Sequence, residues 1–155
     1  MTTVIATLED FYAHALAIER EARDRYAELV AWFNERGEEM LAGLCATLAE
    51  AEGAHYRELE RRSRGHELPA IDASSYQWSE VDSPEAPRRE LLQRAKRPRD
   101  LLLVALEAER KAAAFFEWVA STSPDARVRD LALDMAAEEE LHVRWVRDAL
   151  EYHAA

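Results

Sequence analysis

The stretch ALAIEREARDRY at residues 15–26, followed by EGAH at residues 52–55, decides how this chain folds. Both pieces return further on, as ALEAERKAAAFF at 105–116 and EELH at 139–142. The first pair is offset by 90 residues and the second by 87. Each copy places a lone glutamate, Glu19 or Glu109, on an apolar stripe, then a Glu-x-x-His element 33 or 30 residues later. Such a repeat reads as two similar helical hairpins related by a pseudo-two-fold axis.

The stripes set the helices. Phe11, Ala15, Ile18, Ala22, Tyr26, Leu29 and Phe33 recur at steps of three and four, the spacing of one helix face. This first helix is expected from about Leu8 to Arg36, opened by the capping-box-like run Thr7-Leu8-Glu9-Asp10 and closed at Gly37. A second helix is expected from Glu38 to about Ser63, with Leu41, Leu44, Leu48, Ala51, His55 and Leu59 on its stripe. The short turn at Gly37 makes the two antiparallel neighbours. The third, Arg99 to Ala120, carries Leu102, Leu106, Glu109, Ala112, Phe116 and Val119. The fourth is expected to start with Ser123 as N-cap and Pro124 as first helical residue, and to reach about Tyr152. Its stripe is Leu131, Met135, His142, Val146 and Leu150. Between the hairpins, from about 64 to 98, Pro69, Pro84, Pro87 and Pro98 break the pattern, with room for a short helix over Arg88 to Ala95. A connection of that length is a crossover rather than a turn. The predicted fold is all-α: one four-helix bundle over residues 1–155, with a long crossover between the second and third bundle helices, the ferritin-like arrangement.

Bulk composition agrees. The 155 residues are 48% hydrophobic, with only 4 Gly, and suit one core built from helix formers. A net charge of −11 argues against nucleic acid and anionic membrane as partners. Two divalent ions on four carboxylates would bring it to about −7. Cys45 is the single cysteine, so there is no internal disulfide and no Cys-x-x-Cys metal ribbon. The N-terminal run has no signal-peptide pattern, and the longest clear apolar run, Leu101 to Leu106, is far short of a membrane span. A cytoplasmic protein is expected.

Charged groups on a core-facing stripe are costly unless paired or bound to metal. Residues three apart on a helix share a face, with Cβ atoms about 5–6 Å apart, so Glu and His of one Glu-x-x-His element converge. Glu19, Glu52, His55, Glu109, Glu139 and His142 together form the ligand set of a carboxylate-bridged two-metal site in a helical bundle. Carboxylate with imidazole suits iron or manganese, with zinc as a substitute, and six protein ligands for two ions leave open positions for a small molecule. Glu138 lies four residues before His142 and competes with Glu139; the repeat sets Ala51 against Glu138 and Glu52 against Glu139, which selects Glu139. Tyr26, seven residues after Glu19 and aligned with Phe116, is a candidate hydrogen-bond donor or redox-active phenol beside the site. His14, His66 and His153 are expected at the surface, and Trp32, Trp118 and Trp145 in packing or interface roles. Tyr76 and Trp78 are expected to anchor the crossover, and Cys45 to be a small buried residue.

The hairpin from Ala17 to Tyr26 with Glu52-x-x-His55, and its repeat from Glu109 to Phe116 with Glu139-x-x-His142, resembles the diiron domain of rubrerythrins over nearly the whole chain. The resemblance implies a non-haem centre of two iron ions that reduces peroxide or oxygen as ferrous iron is oxidised. It makes Glu52 and Glu139 bridging ligands, Glu19 and Glu109 terminal ones, and His55 and His142 caps on one iron each. The alternative is a ferroxidase-like iron storage or carrier protein. Two departures matter. Ala112 stands where rubrerythrins carry a further glutamate, which moves the site toward the simpler ferritin or bacterioferritin pattern. The four-cysteine rubredoxin module is missing from this sequence, so an external electron donor is implied. A homodimer is expected from the exposed bundle faces and the family's habit.

Overall fold

A computed structural model describes residues 4–71 and 86–153, and among these it contains helices and no strands. The helices are α1 (Leu8–Glu35), α2 (Glu39–Arg62), α3 (Arg89–Gln93), α4 (Pro98–Thr122) and α5 (Ala126–Tyr152). The four long ones form the bundle. α1 pairs with α2 and α4 with α5 along their lengths, and the two hairpins meet through α2 and α4 and through α1 and α5. This is the expected all-α, ferritin-like bundle.

Its ends are set by local chemistry. The Asp10 amide donates to Thr7 Oγ1 at 3.1 Å, capping α1. At the other end Gly37 takes φ +72°, its amide donates to Asn34 O, and the Glu38 amide donates to Phe33 O. That bond pair closes a helix on a left-handed residue, which glycine adopts without a Cβ clash. α4 begins at Pro98, and the Asp100 carboxylate accepts from the Lys96 and Arg97 amides at 3.2 and 3.1 Å. α5 corrects the predicted boundary. Ser123 ends α4, its amide donating to Val119 O, and Asp125 is the N-cap, accepting from the Arg127 amide at 2.8 Å. Pro124 holds Ser123 in extended backbone (ψ 136°), and the first side chain able to reach the free amides of α5 is Asp125.

The α1 stripe is buried throughout, Phe11 to Phe33, as is the α4 stripe from Leu102 to Val119. The core comes in two clusters. One gathers Phe11, Phe116, Val119, Leu131 and Met135; the other gathers Leu29, Phe33, Leu41, Leu101 and Val146. On each long helix the Glu or Glu-x-x-His positions fall between the residues given to one cluster and those given to the other. A charged layer therefore crosses the bundle at mid-height, with apolar packing above and below.

The described part of the crossover docks on α1. Arg25 donates to Pro87 O, Arg89 pairs with Glu28 at 2.8 Å, and Leu92 of α3 is fully buried in the second cluster. Tyr76 and Trp78 lie outside the described residues. Among those residues, no helix is long and apolar enough to cross a membrane.

Candidate metal centre

All six charged residues singled out from the sequence come together in the mid-height layer. Glu19, Glu52 and Glu139 are 0% exposed and Glu109 is 1%. His55 and His142 are half-buried, and their rings stack with centroids 4.4 Å apart and planes within 7°.

The pairing follows the repeat and crosses it. His55 Nδ1 lies 3.5 Å from Glu19 of its own hairpin and 3.8 Å from Glu139 of the other. His142 Nδ1 lies 3.5 Å from Glu109 of its own hairpin and 3.5 Å from Glu52 of the other. Three sets of donor atoms each fall within 4.8 Å of one another: Glu19, His55 and Glu139; Glu109, Glu139 and His142; Glu52, His55 and His142. Glu139 belongs to two of them, joining the Glu19 end to the Glu109 end.

The electrostatics are those of a site built for cations. Neither oxygen of Glu19 or Glu139 accepts a hydrogen bond, and one oxygen of Glu109 and His55 Nδ1 are likewise without one. Buried polar atoms left this way are rare and costly. Burial raises the Glu19 carboxyl to about 7, helped by the neighbouring Glu52 and opposed by His55. Burial and the surrounding carboxylates push Glu139 well above the usual range, and burial with Glu52 raises Glu109. Burial disfavours the charged form of His142, but Glu109 and Glu52 outweigh it and raise the ring to about 10. His55 is raised by Glu19 against the same burial. Without a cation these groups hold protons in its place. The donor set of four carboxylates and two imidazoles, with the oxygens of Glu19 and Glu139 left without hydrogen bonds, fits hard or borderline divalent ions.

Glu138 and Glu139 take different parts. Glu139 is buried in the layer, whereas the Glu138 side chain is 55% exposed and lies 3.4 Å from the far nitrogen of His55, Nε2. Tyr26 is fully buried, but it belongs to the Leu29–Phe33 cluster two turns along α1 from Glu19. His14 corrects another expectation. It is 3% exposed rather than superficial, with Nδ1 2.8 Å from Asp10 O, so Nδ1 carries the donated proton. Its position three residues after Phe11 and four before Ile18 was the overlooked signal. His66 is half-buried, with Nδ1 3.0 Å from Glu9 Oε1, and His153 is half-buried at the end of α5. Trp32 and Trp118 are half-buried, Trp145 is 43% exposed, and Cys45 is buried with its thiol pushed up to about 12.

No family model and no curated protein matches the chain. Among solved structures it is similar to an uncharacterised conserved protein from Magnetospirillum magnetotacticum, with 30% identity, 95% of each chain covered and a TM-score of 0.73. At that identity and coverage, the present chain belongs to the same family as that conserved protein.

Proposed function

We propose that this protein is a non-haem diiron carboxylate protein that reduces peroxide or oxygen as two ferrous ions are oxidised. The observation that carries the reading is a set of four buried, mutually repelling carboxylates on which two imidazoles converge, with the oxygens of Glu19 and Glu139 accepting no hydrogen bond. In this reading Glu19 and His55 would serve one ion, Glu109 and His142 the other, and Glu52 and Glu139 would be shared between them. Two ferrous ions held there would supply one electron each, enough to take one peroxide and two protons to two waters, or one dioxygen and two protons to one hydrogen peroxide.

The chain's own residues do the rest. The four helices fix the carboxylates from opposite sides, so the layer is preorganised by two apolar clusters rather than by loops. Glu138, against His55 Nε2, orients that ring so that Nδ1 points inward. Tyr26 would supply a buried phenol two turns along α1 from Glu19. A separate donor returns the iron to the ferrous state.

Anaerobic loading with ferrous iron, followed by limiting peroxide in one sample and limiting dioxygen in another, tests the reading. Two ferrous ions oxidised per molecule of either oxidant support it, and ferrous iron left unoxidised by both overturns it. Iron taken up far beyond two per chain would instead favour storage.

A further inference from the structure

Pseudo-two-fold symmetry makes each end of the charged layer a control for the other. At the offset of 87 residues, Thr47, Leu48 and Ala51 of α2 correspond to Asp134, Met135 and Glu138 of α5. Trp145 and Val146 of α5 correspond to Glu58 and Leu59 of α2. The apolar members, Leu48 with Met135 and Val146 with Leu59, match in kind and in burial. The outer members do not. Threonine, alanine and tryptophan at one end stand against an aspartate and two glutamates at the other.

The broken symmetry has a geometric result. At the His55 end, Glu138 lies against the ring. At the His142 end there is a cavity of about 230 Å³ walled by Thr47, Leu48, Ala51, Trp145 and Val146, and it reaches Glu109 and His142. Beyond those two, none of the wall residues among the described residues carries a charge. The Thr47 hydroxyl is already turned to its own helix, donating to Gly43 O at 3.1 Å. Trp145, 43% exposed, belongs to the outer part of the wall.

We propose that this cavity seats a small, uncharged, apolar molecule and delivers it to the Glu109–His142 side of the metal pair, with dioxygen as the member of that class the reaction uses. The proposal rests on the two-metal reading and narrows it. With His142 neutral as a metal ligand, an anion entering here would find no cationic side chain among the described wall residues. Peroxide would exchange hydrogen bonds to water for an apolar surface, a transfer that costs free energy for each bond not replaced. Dioxygen forfeits no such bonds. An apolar cavity of about 150 Å³ already takes xenon or benzene, so this one has room for a diatomic.

Two probes test it, both applied to the full chain. Crystals of the iron-loaded protein pressurised with xenon should show xenon in the cavity, and the Ala51→Leu variant should lose it. Nitric oxide, an uncharged diatomic that binds ferrous iron, should associate about tenfold more slowly with Ala51→Leu than with the wild type, the effect of about 1.4 kcal/mol on the barrier. The iron content of the variant should stay at two per chain. Trp145→Ala, which trims the outer wall, serves as the second variant and should speed association. Two irons with no xenon in the cavity, or association rates that neither variant moves, overturn the cavity proposal alone. An iron content of zero in the wild type overturns the two-metal reading beneath it.

Discussion

Replacing Glu139 with leucine should raise the stability of the metal-free protein and abolish its stabilisation by metal. Glu139 is 0% exposed, neither oxygen accepts a hydrogen bond, and Glu19, Glu52 and Glu109 all repel its charge. Those neighbours and burial keep it protonated, so the relevant cost is that of a neutral buried polar group without partners, about 2 kcal/mol. Leucine is apolar and of similar size, and such replacements of buried ionic groups are often stabilising. In a chain of this length, about 2 kcal/mol moves the melting temperature by roughly 4–8 °C. Metal reverses the order. A divalent ion at a thousand times its dissociation constant adds about 4 kcal/mol to a protein that binds it. The variant, lacking the carboxylate common to two of the three donor sets, should gain little of that. Scanning calorimetry of both proteins, with and without manganese as a redox-stable stand-in, reads the four melting temperatures. The reasoning is refuted if metal-free Glu139→Leu melts below metal-free wild type, because the carboxylate would then be serving the fold. It is equally refuted if manganese stabilises both proteins alike.

Further expectations follow from the same charges. Glu19 is raised from 4.5 to about 7 and His142 from 6.5 to about 10, so the folded metal-free protein binds more protons than the unfolded chain between those limits. Their contribution to stability is full below about pH 4.5 and 6.5 and is lost as pH rises through about 7 and 10. The metal-free melting temperature should therefore fall from pH 5 to 8 while the increment from manganese grows, since binding needs the groups deprotonated; a metal-free melting temperature that climbs over that range would contradict the charge assignments. Glu138→Ala removes the carboxylate 3.4 Å from His55 Nε2 and should weaken metal binding by about 10- to 100-fold in calorimetric titration, with exposed Glu140→Ala as the unaffected comparison. Equal affinities in the two variants would make Glu138 an ordinary solvated side chain.

Much of the fold was legible because period and repeat agreed. The α1 stripe is buried from Phe11 to Phe33, and Gly37 closes the helix with the bond pair its position suggests. The meeting of six charged residues was legible too, because charge on a core face is costly and occurs here twice in register. The misses are local. Ser123 and Asp125 are both good caps, and only the backbone set by Pro124 shows which one serves α5. His14 occupies a stripe position, and its polarity hid that until Asp10 O was seen to satisfy it. The exchange of Ala51 for Glu138 was visible as a break in the repeat. That it leaves a cavity at one end and a carboxylate at the other required the packing of α2 against the rest of the bundle.

The central claim is that two metal ions sit in the charged layer, and metal content tests it most directly. Elemental analysis of the protein purified without metal supplementation should give two ions per chain, iron foremost, and the joint Glu52→Ala and His55→Ala variant should lose them. A wild-type protein that holds no metal after ferrous loading, or a variant that still holds two ions, would contradict the account.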